Sequence, residues 1–176
     1  VAGFDRRIAD LLLLGISLGY SSTKTSMRDL TDKATVSSYQ AGLYGMYRHD
    51  PWYLSSTAAF GYDRYDTQRD ISFGEIVRSA RARYDGHSLG GYLETGYRVE
   101  TRGADIIPMV SLMGGRLMRD GFRERNAGAV SLDVDGERSS FLLGSLGVRL
   151  RKDYAFSSSI FAPEITMRWD HDFFGD

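Results

Sequence analysis

Cysteine is absent from the chain, which excludes both a disulfide framework and a thiolate metal site. Long apolar runs are missing too. No stretch approaches the roughly 18 residues that a membrane-spanning helix needs, so a helical membrane protein is excluded. Proline occurs only three times, against 20 glycines in 176 residues, and no segment reads as a linker, so the length points to a single domain over residues 1–176. Neither sign of charge prevails, with 22 basic and 23 acidic side chains, and nucleic acid finds no electrostatic footprint here. Val1 to Ile8 is neither basic nor long and apolar, so any export signal is expected upstream.

Low average hydropathy leaves one kind of membrane protein open. A spanning barrel strand needs only about 10 residues and turns every second side chain toward lipid. The chain carries that signature repeatedly. Leu12, Leu14, Ile16, Leu18 and Tyr20 alternate with Leu13, Gly15, Ser17, Gly19 and Ser21. Tyr39, Ala41, Leu43, Gly45 and Tyr47 alternate with Ser38, Gln40, Gly42, Tyr44, Met46 and Arg48. Trp52, Leu54, Ala58, Phe60 and Tyr62 oppose Tyr53, Ser55, Thr57, Gly61 and Asp63, and Leu89, Leu93, Tyr97 and Val99 oppose Ser88, Tyr92, Glu94, Gly96 and Arg98. Two later runs set Leu142, Leu146, Val148 and Leu150 against Ser145, Gly147, Arg149 and Arg151, then Phe161, Ile165, Met167 and Trp169 against Glu164, Thr166, Arg168 and Asp170. Strands around Ala2–Ile8 and Ile106–Arg116 bring the expected number to about eight; in the latter the two faces are hard to tell apart.

Aromatic spacing fits a bilayer. Tyr39 and Tyr47 lie on one face, roughly 27 Å apart at about 3.4 Å per residue, and a tilt of some 40° brings that close to the apolar height of an outer membrane. Trp52 and Tyr62 repeat the spacing, and Tyr20, Tyr97 and Trp169 extend the same two expected girdles. Connections alternate as well: His49–Pro51, Thr101–Ala104 and Lys152–Ala155 are short, whereas Ser22–Thr35, Asp66–His87 and Arg119–Glu137 are long. Short periplasmic turns and long external segments are what an up-and-down outer-membrane barrel requires. The long segments, including Met27–Lys33 and Phe122–Arg125, read as solvated loops or strand extensions above the membrane. Pro108 and Pro163 each remove a ladder donor, and both are expected near a strand's beginning.

An ordered series of stretches resembles the autotransporter β-barrel family along essentially the whole chain: Gly3-Phe4-Asp5-Arg6, Leu14-Gly15-Ile16-Ser17-Leu18-Gly19-Tyr20-Ser21, Tyr39-Gln40-Ala41-Gly42-Leu43-Tyr44, Pro51-Trp52-Tyr53-Leu54, Tyr84-Asp85-Gly86, Leu93-Glu94-Thr95-Gly96-Tyr97-Arg98, Pro108, Asp120-Gly121-Phe122, Leu146-Gly147-Val148-Arg149-Leu150, and His171-Asp172-Phe173-Phe174-Gly175-Asp176. The resemblance implies an all-β, antiparallel transmembrane barrel that anchors in the outer membrane and exports a passenger domain. It implies as partners the membrane lipid, a linker helix threading the pore and the barrel-assembly machinery, and it implies neither an enzyme nor a cofactor. The family's plan has twelve strands; this chain resembles strands two to nine, so the segment is expected not to close that barrel alone and to pair its open edges with a partner or a missing remainder.

Charge in mid-strand on the face opposite the apolar one points to a hydrated lumen lined by Glu94, Arg98, Arg149, Arg151, Glu164 and Arg168. An arginine facing lipid at the midplane instead costs about 2 to 4 kcal/mol. Two roles are open for this set: contact with the linker helix, with Glu94 and Arg98 the preferred residues, or pairing across strands that merely stiffens the wall. Catalysis has little support. His49, His87 and His171 fall at strand ends, and no nucleophile, base and orienting acid share a readable spacing; His171 beside Asp170 and Asp172 is the one arrangement to consider. Gly15–Gly19 and Gly114-Gly115 precede no helix and so are not phosphate loops; they are expected to allow twist and leave room in the pore. Asp29, Asp32, Asp133 and Asp135 match no Ca²⁺-ligand spacing. Two other readings compete: a complete eight-stranded outer-membrane protein closed by pairing Ala2–Ile8 with Phe161–Trp169, and a soluble ligand-binding barrel with its apolar side chains inside.

Overall fold

A computed structural model describes residues 1–26, 32–73 and 76–174. Eight long strands follow one another in an antiparallel meander: β1 (Ala2–Ala9), β2 (Leu12–Ser26), β3 (Lys33–His49), β4 (Trp52–Phe73), β5 (Ile76–Tyr97), β6 (Asp105–Arg119), β7 (Glu137–Arg151) and β8 (Glu164–Asp172). Each pairs with its chain neighbours, and Val99–Glu100 prolongs the β5 edge against β6. β1 and β8 do not pair with each other, so the closed eight-stranded reading is not what the described residues form.

Register sends the expected faces apart. One row of Cα partners runs Leu12, Tyr47, Leu54, Thr95, Val110, Leu146, Trp169. Relative to this row β2 begins at Leu12 itself, β4 lower at Trp52, and β6 and β8 lower still at Asp105 and Glu164. That progressive stagger is the signature of strands tilted against a common axis. The apolar positions are exposed on one face, for example Leu18, Leu43, Leu89 and Leu146 at 63%, 61%, 59% and 58%, whereas Glu94 and Ser111 on the other face are each 6% exposed.

The sheet is concave toward the polar face. Arg168 on β8 reaches Glu94 on β5 at 3.2 Å, although three strand spacings of about 4.8 Å separate their backbones. The Tyr44 hydroxyl likewise donates to Asp5, two strands away, at 3.3 Å. Apolar side chains therefore point away from the axis, the reverse of a soluble ligand-binding barrel. Arg6, on the outward parity of β1, departs from this pattern.

Two of the long connections are mostly strand. β4 and β5 pair continuously from Trp52–Tyr97 to Phe73–Ile76, and since about 10 residues span the bilayer, half of this hairpin projects beyond it. β2 and β3 continue to Ser26 and Lys33; Met27–Thr31 lies outside the described residues. The third long segment holds a small hairpin, Phe122–Arg123 with Asp133–Val134, and a 3₁₀ turn at Gly128–Val130. It packs on the inward side of the projecting hairpin, where Ile71, Ala80 and Ala127 are buried together.

One turn departs from expectation. Lys152–Ala155 opens into a longer link, in which Tyr154–Ala155 pairs with Ile160–Phe161, so β8 starts at Glu164 and Phe161 belongs to a separate hairpin. Pro163 just precedes β8, and Pro108 faces the break between Gly96–Met109 and Val99–Ile106, where Arg98 turns its amide to Pro51 instead. The missing donor thus falls where the ladder is already interrupted.

Candidate functional site: the charged inner wall

Glu94 sits in the lower half of β5 between Ser55 on β4 and Ser111 on β6. These short neighbours leave room for long side chains to converge from four strands. The Tyr53 hydroxyl donates to Glu94 Oε1 at 2.8 Å, and the Tyr92 hydroxyl to Oε2. Arg168 donates to Oε2 at 3.2 Å, and Arg149 Nη2 lies 3.6 Å from Oε1. Arg149 Nε also stands 3.2 Å from Glu164, so two carboxylates and two guanidiniums alternate without net charge.

Glycine makes this geometry possible. Tyr53 is the direct cross-strand partner of Gly96, and a β-carbon on Gly96 falls 2.5 Å from its ring. The ring therefore lies flat along the wall and its hydroxyl reaches Glu94 rather than the lumen. Gly15 carries Tyr44 in the same way, with its virtual β-carbon 2.2 Å from the ring. Of the glycines read as leaving room in the pore, Gly15 and Gly115 leave it for the rings of Tyr44 and Phe141, whereas Gly114 faces outward beneath Leu142.

All six sequence-selected residues have inward parity, but they form two groups. Glu94, Arg149, Glu164 and Arg168 make the cluster. Arg98 turns to the acids of the lower rim, 3.7 Å from Asp105 and 3.9 Å from Asp50, and Arg151 to Asp153 at 2.8 Å. A cavity of about 230 Å³ lies between the groups, bordered by Tyr53, Glu94, Arg98, Arg149 and Glu164. Tyr53 and Tyr92 were missed as partners, although a phenol on the polar face of a strand is the signal for them.

The outward aromatics form contacts of their own. Tyr20, Tyr39, Tyr62 and His87 are successive cross-strand partners, with ring centroids 5.1, 6.2 and 5.3 Å apart. Trp52 and Tyr97 meet edge to face at 4.8 Å near the turns, and Tyr47 stacks on His49. Trp169 stacks on His171, which in turn meets Phe173. His171 points outward while Asp170 and Asp172 point inward, so the acid/base arrangement considered for it is not formed. Among the described residues no three acidic or histidine side chains gather as a cation site. Asp32 instead accepts the Asp70 amide at 3.1 Å and Asp133 pairs with Arg123; Asp29 lies outside the described residues.

A tilted, concave antiparallel sheet, greasy outside and charged inside, is the wall of an outer-membrane β-barrel. The autotransporter β-domain family model matches residues 1–176, and the chain belongs to that family, in the bacterial outer membrane. It is 26% identical over 172 residues to an extracellular serine protease of Serratia marcescens, covering 97% of this chain and 16% of that protein. It is 27% identical over 160 residues to the esterase EstA of Pseudomonas aeruginosa, covering 89% and 24%. The chain thus spans a quarter or less of the curated relatives it matches. The translocator domain of the autotransporter NalP from Neisseria meningitidis shares the fold, with a TM-score of 0.71 at 17% identity over 99% of this chain and 59% of that one. The β-domain of the Bordetella autotransporter BrkA gives 0.67 at 26%, covering 97% and 68%.

Proposed function

We propose that residues 1–176 are a part of one translocator domain, the membrane wall past which an autotransporter passenger is delivered to the cell surface. The observation that carries this reading is the Glu94 cluster: charged groups gathered on the concave face in the lower part of the wall, where lipid cannot reach them. Its partners on this reading are outer-membrane lipid, the barrel-assembly machinery during insertion, and the linker helix of its own passenger in the lumen. On this reading the domain itself performs no catalysis.

Glu94 acts first within the wall, because its two oxygens already have four partners. It holds Arg149 and Arg168 in place, and the free edges of these guanidiniums, with Arg98 and Arg151 below, present the polar surface that the linker helix meets. The test is Glu94→Lys in the full-length protein. Assembly is followed by heat-modifiable migration and export by protease accessibility of the passenger on intact cells. An assembled barrel with reduced export is expected. Assembled barrel with undiminished export would reject the linker-contact role.

A further inference from the structure

We propose that the outward face of β6 and β7 binds a phosphate-bearing glycolipid of the outer leaflet, its headgroup held by Arg116 and Arg138 and an acyl chain lying in the apolar groove below. From Ile106 to Gly114 on β6, and from Leu150 back to Ser140 on β7, every outward side chain is uncharged. The first charges met toward the external side are Arg116 and Arg138. On β2 to β5 a ring or imidazole occupies the same register row as Arg138, namely Tyr20, Tyr39, Tyr62 and His87. The row continues through Met118 to Arg138, so here the aromatic girdle gives way to cations.

Both arginines are exposed, and among the described residues neither has an acidic partner within ion-pair distance. Their neighbours differ: Arg64 is paired with Asp85 and bonded to Tyr62, and Arg83 is paired with Asp66. Arg116 is the cross-strand partner of Ser140, and Arg138 of Met118. They are therefore diagonal neighbours on one face, with β-carbons about 7 Å apart, a spacing at which two guanidinium forks close on one phosphate. A cation on the outer face is tolerated at the headgroup level, and a lipid phosphate there supplies the counter-charge that the neighbouring strands do not.

Directly below, the outer face is hollow. A groove of about 480 Å³ is bordered by Leu93, Leu112, Leu146, Trp169 and Phe173, with Gly144 at its floor. Between it and the arginines lies Gly114, crossed by the Leu142 side chain, whose Cδ1 is 3.1 Å from where a Gly114 β-carbon would stand; Leu112, Gly114 and Arg116 are successive outward positions of β6. From Leu112 to Arg116 is about 14 Å, within the length of one acyl chain. Charge above and an uncharged apolar face with its groove below fit a single amphiphile, and the positive sign selects an anionic headgroup.

The full-length protein, extracted from outer membranes in mild detergent, is titrated with lipid A carrying both phosphates and bound lipid is read by native mass spectrometry. Arg116→Gln with Arg138→Gln should weaken binding about tenfold, the scale of one charge-assisted contact, while Arg64→Gln leaves it unchanged. Lipid A stripped of its phosphates should lose affinity for the unaltered protein by a similar factor, a result that does not depend on any variant folding. Undiminished binding by the assembled double variant, equal affinity for the dephosphorylated lipid, or equal affinity for phosphatidylglycerol would each overturn the proposal. So would retention of a second copy of the chain in place of lipid. None of these readouts depends on passenger export, so failure here is distinct from failure of the translocator reading.

Discussion

The Tyr53 hydroxyl lies 2.8 Å from Glu94 Oε1 because the Tyr53 ring rests against Gly96, its cross-strand partner. A glycine on the polar face thus fixes a phenol, which fixes a carboxylate, which gathers two arginines. Tyr53→Phe keeps the ring and deletes one hydrogen bond to a charged acceptor. It should lower barrel stability by about 1 to 2 kcal/mol, read as a shifted midpoint in urea unfolding.

Gly96→Ala tests the same contact from the other side. Its added β-carbon meets ring atoms of Tyr53 at 2.5 Å, so the ring must leave the wall, at a cost of about 1 to 3 kcal/mol. Combining it with Tyr53→Ala should cost less than the sum of the two single changes, because one substitution removes what the other collides with. Strict additivity would show that the ring does not rest there.

Outside the membrane, Arg69 clamps Glu124 through contacts of 3.1 and 2.5 Å, and the Leu132 amide donates to the same carboxylate at 3.0 Å. The Arg69 hydrogen bonds hold the Glu124 carboxyl below its ordinary range. A carboxylate with a depressed folded value contributes stability fully above its unfolded value, about 4.3, and loses it as pH falls through the folded one. The β6–β7 loop should therefore stay docked from neutral pH to about 4.3 and release below it. Hydrogen exchange at Leu132 will follow this, with Glu124→Gln removing the pH dependence.

Leu43 stands midway between Tyr39 and Tyr47 on the outer face and is 61% exposed. Leu43→Arg should cost about 2 to 4 kcal/mol in a bilayer. Gln40→Arg, on the lumenal parity of the same strand, should stay within about 0.5 kcal/mol. Folding titrations into lipid vesicles measure both.

Period-two alternation made β2 to β5, β7 and part of β8 legible from sequence, because lipid on one side and water on the other imposes opposite chemistries on successive residues. β6 was ambiguous for a physical reason. Its inward Ile107 and Met109 are 6% and 7% exposed, tucked beneath the wall cluster, so both faces are apolar. The projecting parts of β4 and β5 were legible only as solvated loop or strand extension, because water lies on both sides there and the alternation vanishes; cross-strand pairing, invisible in one sequence, keeps them extended. The inward charges were legible individually, but their division into a cluster around Glu94 and a rim set around Arg98 was not. That division depends on which residues stand opposite, and register emerges only with the assembled sheet.

The absence of cysteine from this chain permits a direct test of which face meets lipid. Single cysteines replacing Leu43, Leu93, Leu146, Ser111 and Thr166 are labelled with an environment-sensitive fluorophore, and the barrel is placed in vesicles containing brominated acyl chains. Strong quenching at 43, 93 and 146, with little at 111 and 166, is the expected result. Quenching at 111 and 166 instead, with the three leucine positions protected, would contradict the outward orientation of the apolar face.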